Sequence, residues 1–365
     1  MASQQSHSFD IPAARAIVRD FFHHRAAFYW IDFALSMVVA YTAASIYLSA
    51  PWFSLAQLLF FPIATFGLFR LGSFIHEVVH MPRGVMPGFR VVWNLLAGVP
   101  MLSPSFFYGN HLDHHRPHRY GTRRDGEYLP LAYGTMKNVA LFMGQNIYLP
   151  ALIFLRFAVL TPLSFLHGGL RQWTLERASS FIMNFSYRRE ITESAPRTAW
   201  AWLEVLCCLR AQAIIVFVLI GVTPWSRLPA LYLLAMSTLS LNYLRNLVAH
   251  HYRGTGEEMT HADQLSDSIN ITGHPLWTEL FFPIGLRYHA LHHLFPTIPY
   301  HNLGQAHRRL MARLPADSEY RRTTYPSFAS AWRELRADMR QAVHHAPRDV
   351  SGWHAAALSH GDDTV

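Results

Sequence analysis

The sequence predicts an all-α integral membrane protein, with about four transmembrane helices in two hairpins and a cytoplasmic helical cap holding a histidine-rich metal site. Three observations predict it. Hydrophobic residues make up 51% of the 365 and charged residues only 15%, against ~25% charged in soluble domains. Long stretches carry no charge at all; residues 33–69 are one. Finally, 23 residues are histidine, and many of them fall at the ends of the apolar runs.

Each element follows from the pattern. A membrane helix needs ~20 apolar residues, so residues 33–69 hold two. Ser49-Ala50-Pro51 breaks them, because proline favours a turn, giving helices at 31–49 and 53–76. A second hairpin is expected at 203–222 and 228–249, turned by Thr223-Pro224-Trp225. Residues 10–27 read as a helix on the membrane surface and 327–345 as a charged helix, with a disordered tail from Pro347. The expected division is 1–30 as an N-terminal cytoplasmic or interfacial helix, 31–315 as the membrane domain, and 316–365 as a C-terminal helix and tail. The mixed N-terminal residues do not read as a signal peptide.

Composition excludes several classes. Cys207 and Cys208 are adjacent in an apolar run and cannot staple a fold. The net charge of +8 is carried almost wholly by arginine, Lys137 being the single lysine. Beside such apolar runs it suits an anionic membrane face rather than nucleic acid. Apart from Arg70, Arg156, Arg210, Arg227 and Arg245, the basic residues fall on the face of both termini. The positive-inside rule places that face in the cytoplasm.

The histidines form boxes. His76-Glu77-Val78-Val79-His80 ends the second helix, and its i, i+4 spacing puts both imidazoles on one helical face. His111-Leu112-Asp113-His114-His115 and His289-Ala290-Leu291-His292-His293 repeat that spacing with an added i, i+3 member. His250 ends the fourth helix, with Asn246 one turn before it. A lone interfacial histidine is usually a hydrogen-bonding residue; nine in four short segments on one membrane face are a ligand set. Nine neutral imidazoles exceed what one tetrahedral zinc needs and suit two six-coordinate iron ions with positions open for oxygen. Asn246 could join through a water. Glu77, Asp113, Asp263 and Asp267 lie in or before the boxes and are expected to orient ligand imidazoles.

These boxes, in this order at these helix ends, resemble the membrane fatty-acid desaturase and hydroxylase superfamily. The Asn246–His250 pair is similar to its extra metal-binding segment, and the stretch from Gly285 to Pro296, with Pro299-Tyr300-His301, is similar to bacterial members. The resemblance covers roughly residues 30–310. It implies a di-iron, O2-dependent oxidoreductase of lipid chains in a bacterial inner membrane. The first box has three intervening residues where acyl-CoA desaturases have four, which argues against a CoA thioester.

Desaturation of a fatty acyl chain is the leading outcome. Oxidative decarboxylation of free fatty acids to 1-alkenes and lipid hydroxylation share the initial hydrogen abstraction, and box spacing does not separate them. No dinucleotide fingerprint or haem segment is evident, so an external donor of ferredoxin type is expected on the arginine-rich face. Arg70, Arg245, Arg123 and Arg124 are candidate substrate contacts. Arg210 is expected to pair with Glu204. Other classes compete. His76-Glu77-Val78-Val79-His80 is literally the zinc-protease motif, with Glu77 as base, but a protease needs neither of the other boxes. A metal transporter would place its polar groups mid-membrane rather than at helix ends.

Parity constrains the topology. If all nine histidines meet, the chain crosses the bilayer an even number of times between boxes. Residues 91–107 are therefore expected to be re-entrant or on the surface. The apolar run 138–155, long enough for one crossing, is expected to pack along or dip into the cytoplasmic face; the alternative is that 138–170 crosses twice with a turn near Phe157–Pro162.

Overall fold

The computed structural model describes residues 9–342 and Val350. The expected tail from Pro347 otherwise lies outside the described residues. Helices α2 (Ala26–Ser49) and α3 (Leu55–His80) form the first hairpin. Ser54 caps α3 by accepting the Gln57 N–H at 3.2 Å. The two helices cross closely because Gly67 faces Ala40; a Cβ on Gly67 would lie 3.0 Å from Ala40 Cα. α3 runs to His80, a full turn beyond the expected end, so the first box is wholly helical.

The next apolar stretch forms no helix of spanning length. α4 (Pro87–Trp93) passes into a wide π-type turn over Asn94–Gly98. Asn94 then closes a loop by bonding Arg90 O, Ser105 Oγ and Ser105 N at 2.8–2.9 Å. Trp93 Nε1 donates to Leu71 O of α3. Its helical part, about 18 Å long, is too short for a ~30 Å core. α5 (His111–His114) follows on the same side.

Four helices among the described residues are long and apolar enough to cross a membrane: Ala26–Ser49, Leu55–His80, Met136–Leu166 and Arg197–Leu219. Many of their apolar side chains face outward, Leu55 being 71% exposed and Leu35 62%, as lipid contact requires. The set differs from the sequence reading at one place. It holds Met136–Leu166, whereas α10 (Leu228–Asn246) is absent from it. α10 is less apolar because its site end carries Ser240, Asn242, Arg245 and Asn246. It nevertheless runs the height of the bundle: Arg227 before it donates to Ala50 O and Ser49 O at the far turn of the first hairpin.

Met136–Leu166 comprises α6 (Met136–Leu155), a second π-type turn at Arg156–Leu160, and α7 (Thr161–Leu166). Arg156 is buried at the break, where it donates to Ala178 O and Ser179 Oγ and pairs with Glu204 of α9 (Arg197–Leu219). α8 (Gly168–Arg177) folds back on α7. The chain after it then rejoins the histidine layer: Phe181 N donates to Phe107 O, and Met183 N to Gly126 O. That return brings the chain back to the layer it left before Met136. α9 and α10 are joined by the expected short turn, and an apolar cavity lies between them.

The remaining elements form the cap. They are α11 (His261–Asp267), α12 (Pro275–Phe281), α13 (His289–Leu294), α14 (Tyr300–Arg313), α15 (Glu319–Arg322), α16 (Phe328–Ala342) and a two-residue parallel pair, β1 (Asn270–Ile271) with β2 (Thr324–Tyr325). α1 (Ile11–Val18) buries Ala14 and Val18 against α14. Its apolar face is thus covered by the cap, where the sequence suggested a membrane surface.

Candidate metal centre

Nine histidines converge from four segments. The last turn of α3 supplies His76 and His80. α5 and the residue after it supply His111, His114 and His115, and α13 supplies His289, His292 and His293. His250 comes from the strand-like stretch after α10, bridged to Ser268. They sort into two groups. His76, His80, His111 and His292 form one, and His114, His250, His289 and His293 the other; within each group one ring nitrogen per residue lies within 4.8 Å of the rest. His115 stands between, its Nε2 3.2 Å from that of His111 and 3.1 Å from that of His292, its ring 4.2 Å from that of His293. Both groups could hold a metal ion.

The donor set was tested against a cation. His111 Nδ1 lies 2.9 Å from Glu127 Oε2, and His114 Nδ1 2.8 Å from Asp125 Oδ2. Those carboxylates put the proton on Nδ1 and leave Nε2 bare. His250 Nδ1 meets the Tyr120 hydroxyl at 2.7 Å, and that hydroxyl in turn donates to Asp267 at 2.8 Å. His114 Nε2 is nevertheless 3.2 Å from His250 Nε2. Two bare lone pairs at that distance repel unless a cation sits between them. Both ring nitrogens of His76, and Nδ1 of His115, His289 and His293, are buried without a hydrogen-bond partner, an unfavourable state for polar atoms unless something binds them. The residues fit metal ions well.

Burial sets the protonation. It holds His111, His115, His250, His289, His292 and His293 well below the ordinary imidazole value, with neighbouring imidazoles adding to the effect. Neutral ligands result. Burial also pushes Glu127 up to about 8 and Asp267 to about 6. For His114 burial acts downward, but Asp125, together with Glu127 and Asp267, outweighs it and the net shift is upward.

The four acids named from sequence have different fates. Asp267 reaches His250 through Tyr120 and also accepts from Tyr128. Glu77 turns away from the imidazoles, accepting from Tyr29 OH at 2.5 Å and Tyr300 N at 3.3 Å, and lies 3.9 Å from His76 Nδ1. It ties α2, α3 and α14 together, and it does not face the metal site as a protease base would. Asp113 bonds Arg116 and Tyr187. Asp263 caps α11 with Thr260. Sequence reasoning missed the carboxylates that do hold ligand rings, Asp125 and Glu127. Their signal was two acids spaced two apart just after the second box, ahead of an apolar run.

The arginines separate likewise. Arg70 is neutralised by Asp32 at 2.7 Å and Glu279 at 3.2 Å, so it braces α2, α3 and α12 rather than a substrate. Arg123 and Arg124 are exposed beside the second box. Arg210 does not pair with Glu204, which Arg156 and Arg171 occupy; it lines the apolar cavity. Arg245 is buried, and its Nη2 donates to the neutral Asn242 Oδ1 at 3.0 Å. Asn246 donates to Met183 Sδ at 3.4 Å and lines the same cavity as His76 and Arg245. A further cluster, His251, Glu334 and Asp338, is already bridged by Arg253.

The known family described as fatty acid desaturase matches residues 50–325, which includes every histidine of the two groups. The chain belongs to the fatty acid desaturase family. This desaturase-family chain is also 40% identical over 337 residues to a ceramide hydroxylase of Caulobacter vibrioides, covering 90% of this chain and 93% of that protein. No solved structure matches it. Together these place it among lipid-oxidising enzymes, with apolar helices suited to a membrane.

Proposed function

We propose that the chain is a di-iron lipid hydroxylase acting on a ceramide-like lipid at the cytoplasmic face of a bacterial inner membrane. The observation that carries this reading is the convergence of two four-histidine groups, bridged by His115, on one buried site. Similarity to a ceramide hydroxylase over nearly the whole chain supports hydroxylation above desaturation or decarboxylation. Two irons held by His76, His80, His111, His114, His115, His250, His289, His292 and His293, with Asn246 near them, would supply the O2-dependent oxidant that side chains cannot.

The chain's own residues do the rest. Asp125, Glu127 and the Tyr120–Asp267 pair hold three imidazoles by their Nδ1 protons, fixing which nitrogen is free. Burial excludes water from the ligand set. Lipid reaches it through a cavity bounded by His76, Tyr108, Arg245 and apolar residues of α3 and α10. The overall reaction is R–H + O2 + 2 e− + 2 H+ → R–OH + H2O. The two electrons come from an external donor of ferredoxin type, steered to the arginines outside the second box, Arg116, Arg123 and Arg124.

Membranes containing the chain, a ferredoxin system and N-acyl sphingosine under 18O2 test the proposal. A product with one added 18O supports it. A product short of two hydrogens indicates desaturation, and a headspace alkene from free fatty acid indicates decarboxylation; either overturns hydroxylation.

A further inference from the structure

The cavity beside His76 is small, about 170 Å3, and is lined by Tyr108, Asn242, Arg245 and Asn246 among apolar residues. It borders two larger cavities. It shares Leu68, Met101, Ser103, Thr238 and Leu239 with a cavity of about 660 Å3 between α9 and α10. That arm is apolar except for a few polar groups, Arg210 being its one charged residue. It shares Leu149, Ser180, Phe181, Ile182 and Phe185 with a second cleft of about 1160 Å3. One wall of that cleft is the apolar face of α6 and α7, including Leu152, Leu160 and Leu163; the opposite wall is α8 with Gln172, Glu176 and Arg177. The two arms share only Ile153 with each other. The small cavity is therefore the junction of a fork.

The junction is the polar part. Arg245 is 5% exposed and has no carboxylate within 4.0 Å among the described residues. It lines the cavity together with Tyr108 and Glu127. A buried guanidinium that donates to a single neutral amide oxygen has donors to spare. A single fatty acid would fill one arm and leave the other to water or bulk lipid.

We infer that the fork holds a two-chain lipid, with an acceptor-rich linkage such as an amide against Arg245 and Tyr108 and one chain in each arm. This deepens the hydroxylase reading and rests on it for the identity of the reacting site. The linkage fixes the register of both chains, so the carbon presented to His76 lies close to the branch point. A one-chain lipid can slide along either arm.

Binding tests this apart from turnover. The full-length chain in nanodiscs is titrated with N-palmitoyl sphingosine, sphingosine and palmitate, and occupancy is read by native mass spectrometry. The two-chain lipid is expected to bind at least about tenfold more tightly than either one-chain lipid, since its second chain adds close packing contacts along the other arm while one linkage holds both chains in register. Leu160→Trp in the cleft and Leu231→Trp in the α9–α10 cavity should each weaken the two-chain lipid about tenfold. Both should leave the one-chain lipids within about threefold, because these can use the open arm. Leu163→Trp replaces Leu160→Trp if that variant fails to fold by size exclusion. Arg245→Met should weaken the two-chain lipid, and Arg245→Lys should restore part of the loss. Equal binding of one- and two-chain lipids, or two-chain binding indifferent to a tryptophan in the cleft, overturns the fork. Preserved two-chain selectivity in a chain that hydroxylates nothing would sink the hydroxylase reading and leave the fork standing.

Discussion

Asp125→Asn is the sharpest single perturbation of the metal site. Asp125 is fully buried. Its Oδ2 accepts from His114 Nδ1 at 2.8 Å and Gly121 N at 3.1 Å, and its Oδ1 accepts from Glu127 N at 2.9 Å. All three neighbours donate to an acceptor-only group. An asparagine has one oxygen and one NH2, so in either orientation at least one donor faces a donor. If the oxygen stays on Glu127 N, the amide NH2 meets His114. The ring then either loses its partner or moves its proton to Nε2, which faces His250, and a protonated nitrogen cannot ligate. If the oxygen turns to His114, the Glu127 N–H is stranded. One unsatisfied buried donor costs about 1–3 kcal/mol, and loss of a carboxylate behind a metal-bound histidine typically costs 10–100-fold in affinity. Metal in the group of His114, His250, His289 and His293 should therefore weaken about 10–100-fold, while the His76 group is affected less. The assay is chelator competition on the purified protein, with metal per chain read by mass spectrometry and folding checked by size exclusion. Wild-type metal retention in a folded Asp125→Asn protein would refute the reasoning.

Four further outcomes follow from the same geometry. Each of the nine histidines changed singly to Ala should abolish turnover in protein that still inserts, while exposed His23 and His261 should tolerate it; full activity in several of the nine contradicts the ligand assignment. Cysteines placed at exposed Thr135 and Arg177, in a background with Cys207 and Cys208 as serine, should react with an impermeant probe from the same side. Labelling from opposite sides would mean that Met136–Leu166 crosses. Glu204→Gln should destabilise the fold by about 3–5 kcal/mol, because it strands buried Arg156 and leaves Arg171 unpaired; an unchanged unfolding midpoint counts against that network. Finally, chelation followed by iron should restore activity, whereas recovery with zinc alone would favour the protease chemistry.

Much of this was legible in the sequence because its signals are local. The boxes are helical i, i+3, i+4 patterns, and their position at the ends of uncharged runs fixed a common layer. The two prolines in 91–107 already spoke against one long helix there, and Asn94 closes the loop between them and the preceding turn. The rest depends on long-range packing that periodicity does not carry. The spacing of Asp125 and Glu127 was visible, but only the packing shows that Asp125 holds His114 while Asp113 holds Arg116 and Tyr187. Glu77 sits inside a box yet faces Tyr29, 48 residues earlier. Arg70 looked like a lipid contact until Asp32 and Glu279 were seen around it. The cavity between α9 and α10 was hidden because an apolar wall facing a cavity has the same composition as one facing a helix.

The central claim is that the two histidine groups hold two iron ions in one site. Metal analysis of the purified chain, with Mössbauer spectra of 57Fe-grown protein, tests it most directly. The account predicts close to two irons per chain, falling together with activity in His76→Ala and His289→Ala. A single zinc per chain, or full activity with neither site loaded, would contradict it.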